Sequence, residues 1–467
     1  MAEDRFDAAV IGAGVVGAAA ARALALAGAR VVVLEKAADI LDGASKANSA
    51  ILHTGFDAPP GSIESACLAE GYAEYRRIHA RLGLPLLESG ALVLAWTEEE
   101  EARLPALIEQ AQLNGVSDVE PLGAAALRAC EPGLGPGLRA GFRVPGEHLV
   151  DPWSAPLAYL HQAAAHGAVI RRACEVQGGT WDGALWRLET GGDPVQARVV
   201  VNAAGLWGDV VDERLLGRRR FAIRPRKGQF VVYDKTAFGL TRHILLPVPS
   251  ATTKGVVVCR TVWGNLLVGP TAEDQDDRTT AVLDPAVLEA LRRRGEAILP
   301  ALSGHEPTAA YAGLRPATED KDYRIGHDPD RAYVTLGGIR STGLSAALGL
   351  AARLVRMLEG QGATQGWIPP ADPVWPVLPN LAETAPRDWQ RPGHGGIVCH
   401  CEMVTRREIL AALEGSLGAR TLGGLKRRTR VTMGRCQGFY CTPALARLTA
   451  GRLDPPLAEP LEADGAR

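Results

Sequence analysis

An excess of charge of either sign and long apolar runs are both missing from this sequence of 467 residues. Its 51 Lys and Arg residues nearly balance its 53 Asp and Glu residues, so the formal charge of −2 gives no overall field that would attract nucleic acid or an anionic membrane. No stretch approaches the ~18 consecutive apolar residues of a membrane-spanning helix. The N-terminus lacks the cationic, apolar and cleavage regions of a signal peptide. We therefore expect a cytoplasmic protein with no direct membrane span and no nucleic-acid partner.

Cysteine is also scarce, and its distribution is uneven. Eight cysteines are too few for a disulfide scaffold in a chain of this length. Four of them stand singly, as small buried apolar residues usually do. The other four form two close pairs near the C-terminus: Cys399, Cys401, Cys436 and Cys441. In a cytosolic protein such pairs favour a metal site over disulfide bonds.

The start of the chain has the pattern of a strand, a helix and a second strand. Residues 6–11 and 30–34 are apolar runs suited to buried parallel strands. In the intervening GAGVVG motif, Gly12 allows a tight turn, Gly14 lets the backbone approach a pyrophosphate, and Gly17 lets helix and strand pack closely. Glu35 follows the second strand, where a carboxylate accepts hydrogen bonds from ribose hydroxyls. The pattern predicts a dinucleotide site.

The rest of the chain divides into regions of different pattern. Further strands are expected at residues 198–204 and 333–339. Several short strand-like runs between residues 221 and 270 indicate a separate antiparallel or mixed sheet. Residues 361–395 contain seven prolines and predict a linker or wrapping segment. The region after it, about 397–450, holds the four paired cysteines.

Only one dinucleotide-binding unit is evident, because no second strand, G-x-G-x-x-G motif and helix follow later in the sequence. A flavoprotein that uses NAD(P)H usually has two such units. One unit together with a cysteine cluster therefore suggests a bound flavin whose electrons leave through a metal centre.

Several motifs resemble those of the D-amino-acid-oxidase-like (DAO) superfamily of FAD oxidoreductases. They are residues 43–45 (GAS) with 48–56 (NSAILHTGF), 201–207 (VNAAGLW), 312–316 (AGLRP) and 337–344 (GGIRSTGL). The resemblance narrows to the glycerol-3-phosphate and L-2-hydroxyglutarate dehydrogenase branches. Residues 226–229 (RKGQ) and 266–274 (LLVGPTAED) look closest to the large subunit of anaerobic glycerol-3-phosphate dehydrogenase. The resemblance covers about residues 5–450.

The resemblance implies an α/β fold, in which a discontinuous Rossmann-type FAD-binding domain carries an inserted mixed-sheet substrate domain. The expected boundaries are 1–80, 145–220 and 325–360 for the FAD-binding domain, 81–144 and 221–324 for the substrate domain, 361–395 for a Pro-rich linker, 396–450 for a small helical [2Fe-2S] domain and 451–467 for a tail. The residues expected to hold FAD are Gly12, Gly14, Val15, Val16, Gly17, Glu35, Lys36, Ser45, Asn48, Ser49, Ala204, Gly205, Gly338, Thr342, Gly343 and Leu344.

The paired cysteines follow the pattern C-x-C-x34-C-x4-C, and four thiolates can hold either zinc or an iron–sulfur cluster. Structural zinc sites usually use pairs with two to four intervening residues, and C-x-C is tighter than that. The segment, including residues 434–438 (GRCQG), resembles the bacterioferritin-associated-ferredoxin-like [2Fe-2S] domain. This resemblance implies a [2Fe-2S] cluster on all four cysteines, with zinc or a vestigial site as alternatives.

Four basic residues, Lys426, Arg427, Arg428 and Arg430, precede the second cysteine pair. Three interpretations stay open for them. They complement the negative charge of the cluster, they dock an acidic partner, or they form a solvated basic face.

Two residues are candidates for catalysis by family resemblance. Arg315, in the AGLRP motif, corresponds to the arginine that binds the anionic group of the substrate, although it can also serve a structural carboxylate. His53 lies in the loop expected at the flavin, where it can take a hydroxyl proton as hydride leaves, orient the flavin ring or be a core histidine. Lys254, His243 and Lys321 are further candidates for substrate contact, and Lys254 is the one we place in the binding site.

One departure from the family pattern concerns the general base that takes the hydroxyl proton. Aerobic glycerol-3-phosphate dehydrogenases carry a histidine after the Lys-Gly pair, whereas this chain has Gln229. The base can therefore lie elsewhere, or the substrate can differ. The resemblance also implies that the helix opened by Gly343 and Leu344 directs its N-terminus at the flavin.

The sequence therefore predicts a flavin and iron–sulfur dehydrogenase for a small anionic alcohol, with glycerol 3-phosphate as the leading substrate. The alternatives are L-2-hydroxyglutarate or another 2-hydroxy acid, and an amino acid. A different class is an electron-transfer or assembly subunit of a larger complex. The expected partner is an electron-acceptor protein or a quinone-linked subunit, which would make the assembly a hetero-oligomer. We expect membrane association only through that partner.

Overall fold

The computed structural model describes residues 5–249 and 255–458. Their strands are β1 (Arg5–Ile11), β2 (Val31–Leu34), β3 (Ile51–Leu52), β4 (Leu86–Leu87), β5 (Ala91–Ala95), β6 (Glu120–Gly123), β7 (Ala140–Val144), β8 (His148–Val150), β9 (Val169–Arg171), β10 (Val176–Trp181), β11 (Trp186–Thr190), β12 (Val195–Asn202), β13 (Ile223–Tyr233), β14 (Ile244–Pro247), β15 (Val257–Arg260), β16 (Leu266–Gly269), β17 (Glu273–Asp274), β18 (Pro307–Thr318), β19 (Arg324–Asp328), β20 (Tyr333–Gly337), β21 (Ile397–Cys399) and β22 (Val404–Thr405). Their α-helices are α1 (Val15–Leu26), α2 (Ile63–Ile78), α3 (Glu98–Leu113), α4 (Ala124–Cys130), α5 (Ser154–Ala165), α6 (Gly208–Leu216), α7 (Pro285–Ile298), α8 (Gly343–Glu359), α9 (Arg406–Ala412), α10 (Leu422–Thr429) and α11 (Thr442–Leu448).

The first large sheet has eight strands drawn from three separated segments of the chain. Its parallel centre has the order β9-β2-β1-β12-β20, and β10, β11 and β19 extend it in the antiparallel sense. The centre is buried on both faces, because β2 and nearly all of β1 are covered. This burial explains why these strands are continuous apolar runs rather than alternating ones.

Helices cover both faces of this sheet. On one face α1, α2, α5 and α8 share an apolar core with the strands, and on the other face α6 packs against β10–β12. Helix α1 consists mainly of Ala, Val and Leu, and these small side chains let it lie close to the sheet.

The second large sheet has nine strands, from residues 91–144 and 223–318. Its order is β17-β13-β16-β15-β14-β5-β7-β6, with β18 paired along β13. The β5–β14 pair is parallel and the others are antiparallel, so the sheet is mixed, as the sequence predicts. A small sheet of order β3-β8-β4 is formed by strands on either side of the first segment in sequence, with β3 and β4 before it and β8 after it. The exact domain boundaries stay a prediction.

The proline-rich segment 361–395 runs along both halves of the molecule. The N–H of Leu378 donates to the carbonyl of Leu82 at 3.0 Å, and the N–H of Glu383 donates to the carbonyl of Val262 at 2.8 Å. The segment therefore wraps the protein as well as joining its parts.

The C-terminal region is a small module of β21, β22, α9, α10 and α11 around its own apolar core, which includes Cys399 and Cys441. It is docked on the first sheet, because Leu417 joins the core of the α1 face and Arg172 donates to the carbonyl of Gly418 at 2.6 Å. None of the helices in residues 5–249 and 255–458 is both long and apolar enough to cross a membrane.

Candidate functional site

A cleft of about 1030 Å³ opens between the two large sheets. It follows the carboxyl ends of β1, β2, β12 and β20 on one side, and β13 and β18 on the other. Ligands of open α/β sheets bind at the carboxyl ends of parallel strands, where the loops diverge. The volume is at the upper end of the range for small-molecule sites.

The loop after β1 has the tight geometry that its motif predicts. Gly12 has a φ of +103°, and a Cβ on Gly17 would lie 1.9 Å from the carbonyl oxygen of Gly12. Helix α1 has no side-chain cap at its N-cap residue Gly14 and no acidic residue in its first turn. The N–H of Val15 donates to Oγ of Ser45 at 3.0 Å. This uncapped helix N-terminus beside a hydroxyl fits the pyrophosphate of a dinucleotide.

Glu35 lies at the end of β2, where the sequence predicts the ribose. Its carboxylate accepts hydrogen bonds from the N–H of Ala13 at 2.7 Å and from that of Ala37 at 2.8 Å, which fix its orientation. Burial raises the pKa of Glu35. Beside it, Nζ of Lys36 lies 3.8 Å from the ring centroid of Trp207, and burial lowers the pKa of Lys36.

Most of the expected FAD contacts come together in this cleft: Gly12, Gly14, Val15, Val16, Glu35, Lys36, Ser45, Asn48, Ser49, Ala204, Gly205, Gly338, Gly343 and Leu344. Gly17 and Thr342 do not line it. The hydroxyl of Thr342 donates to Oε1 of Glu64 at 2.5 Å and lies 2.7 Å from the Tyr323 hydroxyl, so it is part of a buried support under α8. The residues present fit a long ligand such as FAD, because the first residues of both α1 and α8 line the same cleft.

His53 lines the cleft and has a buried partner that the sequence did not indicate. Its Nδ1 lies 2.9 Å from Oε2 of Glu147, whose side chain is completely buried. Oε1 of Glu147 accepts hydrogen bonds from both the N–H and the hydroxyl of Thr54 at 2.7 Å. The N–H of His53 donates to Oγ of Ser345 at 2.8 Å. The carboxylate therefore lies at ion-pair distance from this imidazole nitrogen, although the two atoms are not in hydrogen-bond geometry.

Arg315 lies on β18, with its guanidinium group in the cleft. The group donates to the carbonyls of Lys227, at 3.0 Å, and of Thr271. Burial, reinforced by the charges of Arg226 and Arg340, lowers the pKa of Arg315 to about 10. Two or more cations held so close together favour binding of an anion.

Arg340 lines the same part of the cleft. Within residues 5–249 and 255–458 its side chain has no hydrogen-bond or ion-pair partner. The sequence places Arg340 in the GGIRSTGL motif, but nothing in the motif distinguishes it from a structural arginine. Glu147 gave no sequence signal, because it stands alone in a turn before β8.

The other candidates for substrate contact lie in different places. Lys321 lines the cleft from an exposed loop. His243 is absent from the cleft lining, and its Nδ1 lies 2.7 Å from Oε1 of Glu131, which makes it a structural histidine. This ion pair and two backbone hydrogen bonds hold the pKa of Glu131 low despite burial. Lys254 lies outside the described residues.

The four C-terminal cysteines lie as two neighbouring pairs, Cys401 with Cys436 and Cys399 with Cys441. Backbone N–H groups, that of Tyr440 foremost, are directed at the Cys436 sulfur and lower its pKa. Amide donors around thiolates are typical of iron–sulfur sites. In the part of the chain that the structure describes, no three ligand-type side chains converge for a single ion. These four thiols are the residues that would hold a metal centre in this module.

The basic residues before Cys436 are not a solvated face. The side chains of Arg427, Arg428 and Arg430 are buried, and each has a carboxylate partner on this or the neighbouring module. Arg428 lies 2.9 Å from Asp39. Because these three guanidinium groups are buried between modules, they do not form a solvated face. For the same reason they are not available to dock an outside partner. The sequence could not show this, because the carboxylates lie far away in the chain. Lys426 lies beside Cys441, where its charge complements a cluster.

Comparisons with known proteins agree with this geometry. Residues 7–357 match the family "DAO: FAD dependent oxidoreductase", and residues 397–450 match the "BFD-like [2Fe-2S] binding domain". The chain is 31% identical over 460 residues to a glycerol 3-phosphate dehydrogenase of Caloramator mitchellensis, covering 97% of this chain and 96% of the relative. It is 29% identical over 493 residues to one of the subunits of the anaerobic glycerol-3-phosphate dehydrogenase of Escherichia coli K12, covering 95% of this chain and 87% of that subunit.

Among solved structures, the dithionite-reduced, FAD-bound L-alpha-glycerophosphate oxidase of Mycoplasma pneumoniae is similar with a TM-score of 0.73 and 26% identity, covering 80% of this chain and 99% of that one. These findings confirm the resemblance, the fold class and both cofactor predictions drawn from the sequence. The chain belongs to the DAO family of FAD-dependent oxidoreductases, with a BFD-like [2Fe-2S] domain at its C-terminal side.

Proposed function

We propose that this oxidoreductase oxidises the secondary alcohol of glycerol 3-phosphate to a ketone and passes the electrons to a separate acceptor. The observation that carries the proposal is the cationic part of the cleft, where the charges of Arg315 and Arg340 lie close to each other in a lining that also includes His53. The similarity to glycerol 3-phosphate dehydrogenases over nearly the whole chain supports the same substrate.

Arg315 and Arg340 are the groups that we assign to the phosphate. A phosphate dianion accepts bidentate hydrogen bonds from guanidinium groups, and two guanidinium groups compensate its two charges. Arg315 is held by backbone carbonyls, which fix its position before substrate binds. Arg340 has no such partner in the described residues, so substrate supplies the anion that it lacks.

His53 is the group that we assign to the proton. With Nδ1 beside the Glu147 carboxylate, Nε2 accepts the proton of the substrate hydroxyl while the adjacent carbon loses hydride. Glu147 then stabilises the imidazolium through its negative charge. We regard Glu147 as a positioning residue, since its contacts are with His53 and Thr54 rather than with the cleft.

FAD supplies a hydride acceptor at this site, and the [2Fe-2S] cluster supplies a carrier of single electrons. The residues assigned to FAD are those that line the cleft, and the residues assigned to the cluster are Cys399, Cys401, Cys436 and Cys441. The helix N-terminus at Gly343 favours negative charge on a ring placed against it.

Strand β18 joins the two centres. Near its start, the carbonyl of Thr308 accepts a hydrogen bond from Nε2 of Gln437, the residue after Cys436, at 3.2 Å. Further along, Ala312 lines the cleft. Four residues of extended strand span about 13 Å at roughly 3.3 Å each. The short strand between these two contacts supports electron transfer between the modules.

An amino acid is the second candidate substrate. Glycine oxidase of Geobacillus kaustophilus is 29% identical over 354 residues, covering 72% of this chain and 89% of the relative. A single guanidinium group suffices for a carboxylate, so an amino acid leaves Arg340 without a role. A 2-hydroxy acid leaves the same group unused, unless the acid has a second carboxylate.

The acceptor that we propose is another protein. One similar protein is named as one of the subunits of an anaerobic glycerol-3-phosphate dehydrogenase, and this supports a multi-subunit assembly. We propose a cytoplasmic location, with any membrane attachment through the partner.

The proposal is tested by turnover of the purified holoenzyme with ferricyanide as acceptor. The substrates to compare are glycerol 3-phosphate, glycerol, L-2-hydroxyglutarate and glycine. We expect kcat/KM to be highest for glycerol 3-phosphate and to fall at least a hundredfold for glycerol, which lacks the phosphate. A higher kcat/KM for glycine would mean that the substrate is an amino acid, and a higher kcat/KM for L-2-hydroxyglutarate would mean that it is a 2-hydroxy acid. Absence of turnover with every substrate would favour an electron-transfer or assembly subunit.

A further inference from the structure

We propose that Phe439 and Tyr440 are the docking surface for the electron-accepting protein, and that this protein presents an apolar contact surrounded by acidic side chains. The inference rests on the proposed function, because it concerns where electrons leave. It assigns the exit to one loop, the segment between the cluster ligands Cys436 and Cys441.

The two aromatic side chains are unusually exposed for their size. Phe439 is 77% exposed and Tyr440 is 74% exposed, and their rings are in edge-to-face contact with centroids 5.1 Å apart. Single exposed apolar side chains are common on protein surfaces. Two in contact, in a module whose other large apolar side chains form a buried core, indicate a binding surface.

The loop holds these rings outward by a defined hydrogen-bond pattern. The N–H of Phe439 donates to the carbonyl of Cys436 at 3.0 Å, and the hydroxyl of Thr442 donates to the carbonyl of Gly438 at 2.7 Å. The side chain of Gln437 fixes the loop to β18 through Thr308. A surface ordered before binding loses little entropy on association.

The position of the loop also fits an exit for electrons. The opposite side of the module is occupied, because Arg428 contacts Asp39 and Leu417 packs into the core of the first sheet. Cys399 and Cys441 are buried, whereas Cys401 and Cys436 are partly exposed. A protein that contacts Phe439 and Tyr440 therefore approaches the four cluster ligands from the side of the partly exposed Cys401 and Cys436.

The charge around the loop identifies the chemistry of the partner. Residues 414–454 contain eight Lys and Arg residues and two acidic residues, Glu414 and Asp454, of which Glu414 pairs with Arg452. The arginines of α10 and its C-cap are used in contacts between modules, but Arg435 and Arg447 are exposed. Asp234, directly after β13, pairs with Arg435. The remaining positive charge complements an acidic rim and attracts such a partner over a distance.

A membrane surface fits these observations less well. Aromatic and basic side chains also occur on proteins that bind anionic lipids. However, a lipid headgroup accepts no electrons, and the aromatic pair lies between two cluster ligands. We therefore infer a protein partner and treat lipid binding as an outcome of the test.

The test measures oxidation of dithionite-reduced, desalted holoenzyme in a stopped-flow instrument, so that it does not depend on the substrate. The acceptors are plastocyanin as an acidic protein, cytochrome c as a basic protein, and ferricyanide as a small molecule. The double variant Phe439→Ser/Tyr440→Ser removes the rings and keeps the loop backbone. Leu113→Ser is the matched control, because Leu113 is 69% exposed on α3. Cluster absorbance checks that each variant is loaded.

We expect the wild type to reduce plastocyanin faster than cytochrome c, with a rate that falls as salt is added. We expect the double variant to lose at least tenfold in rate with plastocyanin, relative to its rate with ferricyanide, and Leu113→Ser to lose nothing. Arg447→Glu, which leaves the loop intact, should slow plastocyanin and speed cytochrome c.

The proposal is overturned by an unchanged plastocyanin rate in the double variant or by faster reduction of cytochrome c than of plastocyanin by the wild type. It is also overturned if the double variant instead loses binding to vesicles of phosphatidylglycerol, or loses self-association. If glycerol 3-phosphate is not oxidised by the enzyme, these oxidation rates stay the same. That result therefore refutes the proposed substrate and not the docking surface.

Discussion

At the scale of single residues, two side chains are decisive for the proposed chemistry. The first is Glu147, which is completely buried and lies 2.9 Å from Nδ1 of His53. We expect His53→Gln to lower kcat/KM with glycerol 3-phosphate by roughly 10²- to 10⁴-fold, the usual effect of removing a general base. Glu147→Gln keeps the shape and the contact with Thr54 but removes the charge, so we expect a smaller loss, about 10- to 100-fold.

Steady-state kinetics and flavin content measure this pair of effects. Both variants should bind FAD normally and keep KM within a few-fold of the wild type. Glu306→Gln, at an exposed position, is the control and should change nothing. Equal activity of wild type and Glu147→Gln would show that the carboxylate has only a structural role.

The second side chain is Arg340. Arg340→Gln removes one charge-assisted contact to the phosphate, which corresponds to about 1.5–3 kcal/mol and therefore to a rise in KM of roughly 10- to 100-fold. We expect kcat to change much less, since we assign the group to the phosphate rather than to the transferred proton. Arg356→Gln is a matched control, because Arg356 lies at the far end of α8 and pairs with Glu70 on the surface. An unchanged KM in Arg340→Gln would remove this residue from the phosphate site.

Glu147 and Arg340 also show the limit of prediction from the sequence. His53 and Arg315 stand in motifs, and the structure brings both to the cleft. Glu147 lies 94 positions after His53 and has no motif, so its role follows only from the fold. Arg340 stands in a motif, but its freedom from structural partners within the described residues is a property of the folded chain.

At the scale of elements, we expect the glycine loop between β1 and α1 to be the most sensitive part of the site that we assign to FAD. Gly17→Ala would place a Cβ 1.9 Å from the carbonyl oxygen of Gly12, so helix and strand must separate. We expect the purified variant to contain less than a tenth of the wild-type FAD, measured by flavin absorbance after denaturation. Gly43→Ala is the control in the same site, because its Cβ would meet nothing within 4 Å. Full FAD occupancy in Gly17→Ala would contradict the close packing.

Elements with a strong pattern were predictable and short ones were not. β1, α1 and β2 follow directly from two apolar runs and a glycine motif, because a buried parallel strand needs apolar residues on both faces. The two-residue strands β3 and β4 carry no periodicity, yet β3 connects the flavin loop to β8, next to Glu147. Short strands of this kind are determined by their tertiary neighbours.

At the scale of the whole molecule, Asp39 holds the cluster module on the first sheet. It is buried, lies 2.9 Å from Arg428 and accepts a hydrogen bond from the N–H of Arg420 at 2.9 Å. α10 comes so close that a Cβ on Gly424 would lie 1.7 Å from the Asp39 carboxylate. Asp39→Asn leaves Arg428 buried without its counter-charge, and loss of one partner of a buried ion pair costs about 3–5 kcal/mol.

We therefore expect Asp39→Asn to lower the urea midpoint at which the cluster absorbance is lost, and to make the segment before the module more sensitive to protease. Glu414→Gln is the control, because Glu414 pairs with Arg452 on the surface, where such pairs contribute about 0–1 kcal/mol. An unchanged midpoint in Asp39→Asn would show that other contacts hold the module.

This interface could not have been predicted from the sequence. The basic residues of α10 were visible, but their partners Asp39 and Asp42 lie almost 400 positions earlier in the chain. The composition of 361–395 indicated a linker, whereas its contacts with Leu82 and Val262 show which surfaces it crosses. Motifs indicated the two cofactors, and only the fold shows that one strand, β18, both lines the cleft and contacts the loop after Cys436.

The most direct test of the central claim is the visible spectrum of anaerobically purified holoenzyme before and after addition of glycerol 3-phosphate. If the cationic cleft takes this substrate and β18 joins the two centres, the flavin and cluster bands should both bleach on addition. Bands that stay unchanged with glycerol 3-phosphate but bleach with glycine or L-2-hydroxyglutarate would contradict the substrate. A flavin band that bleaches while the cluster band does not would contradict the electron transfer between the two modules.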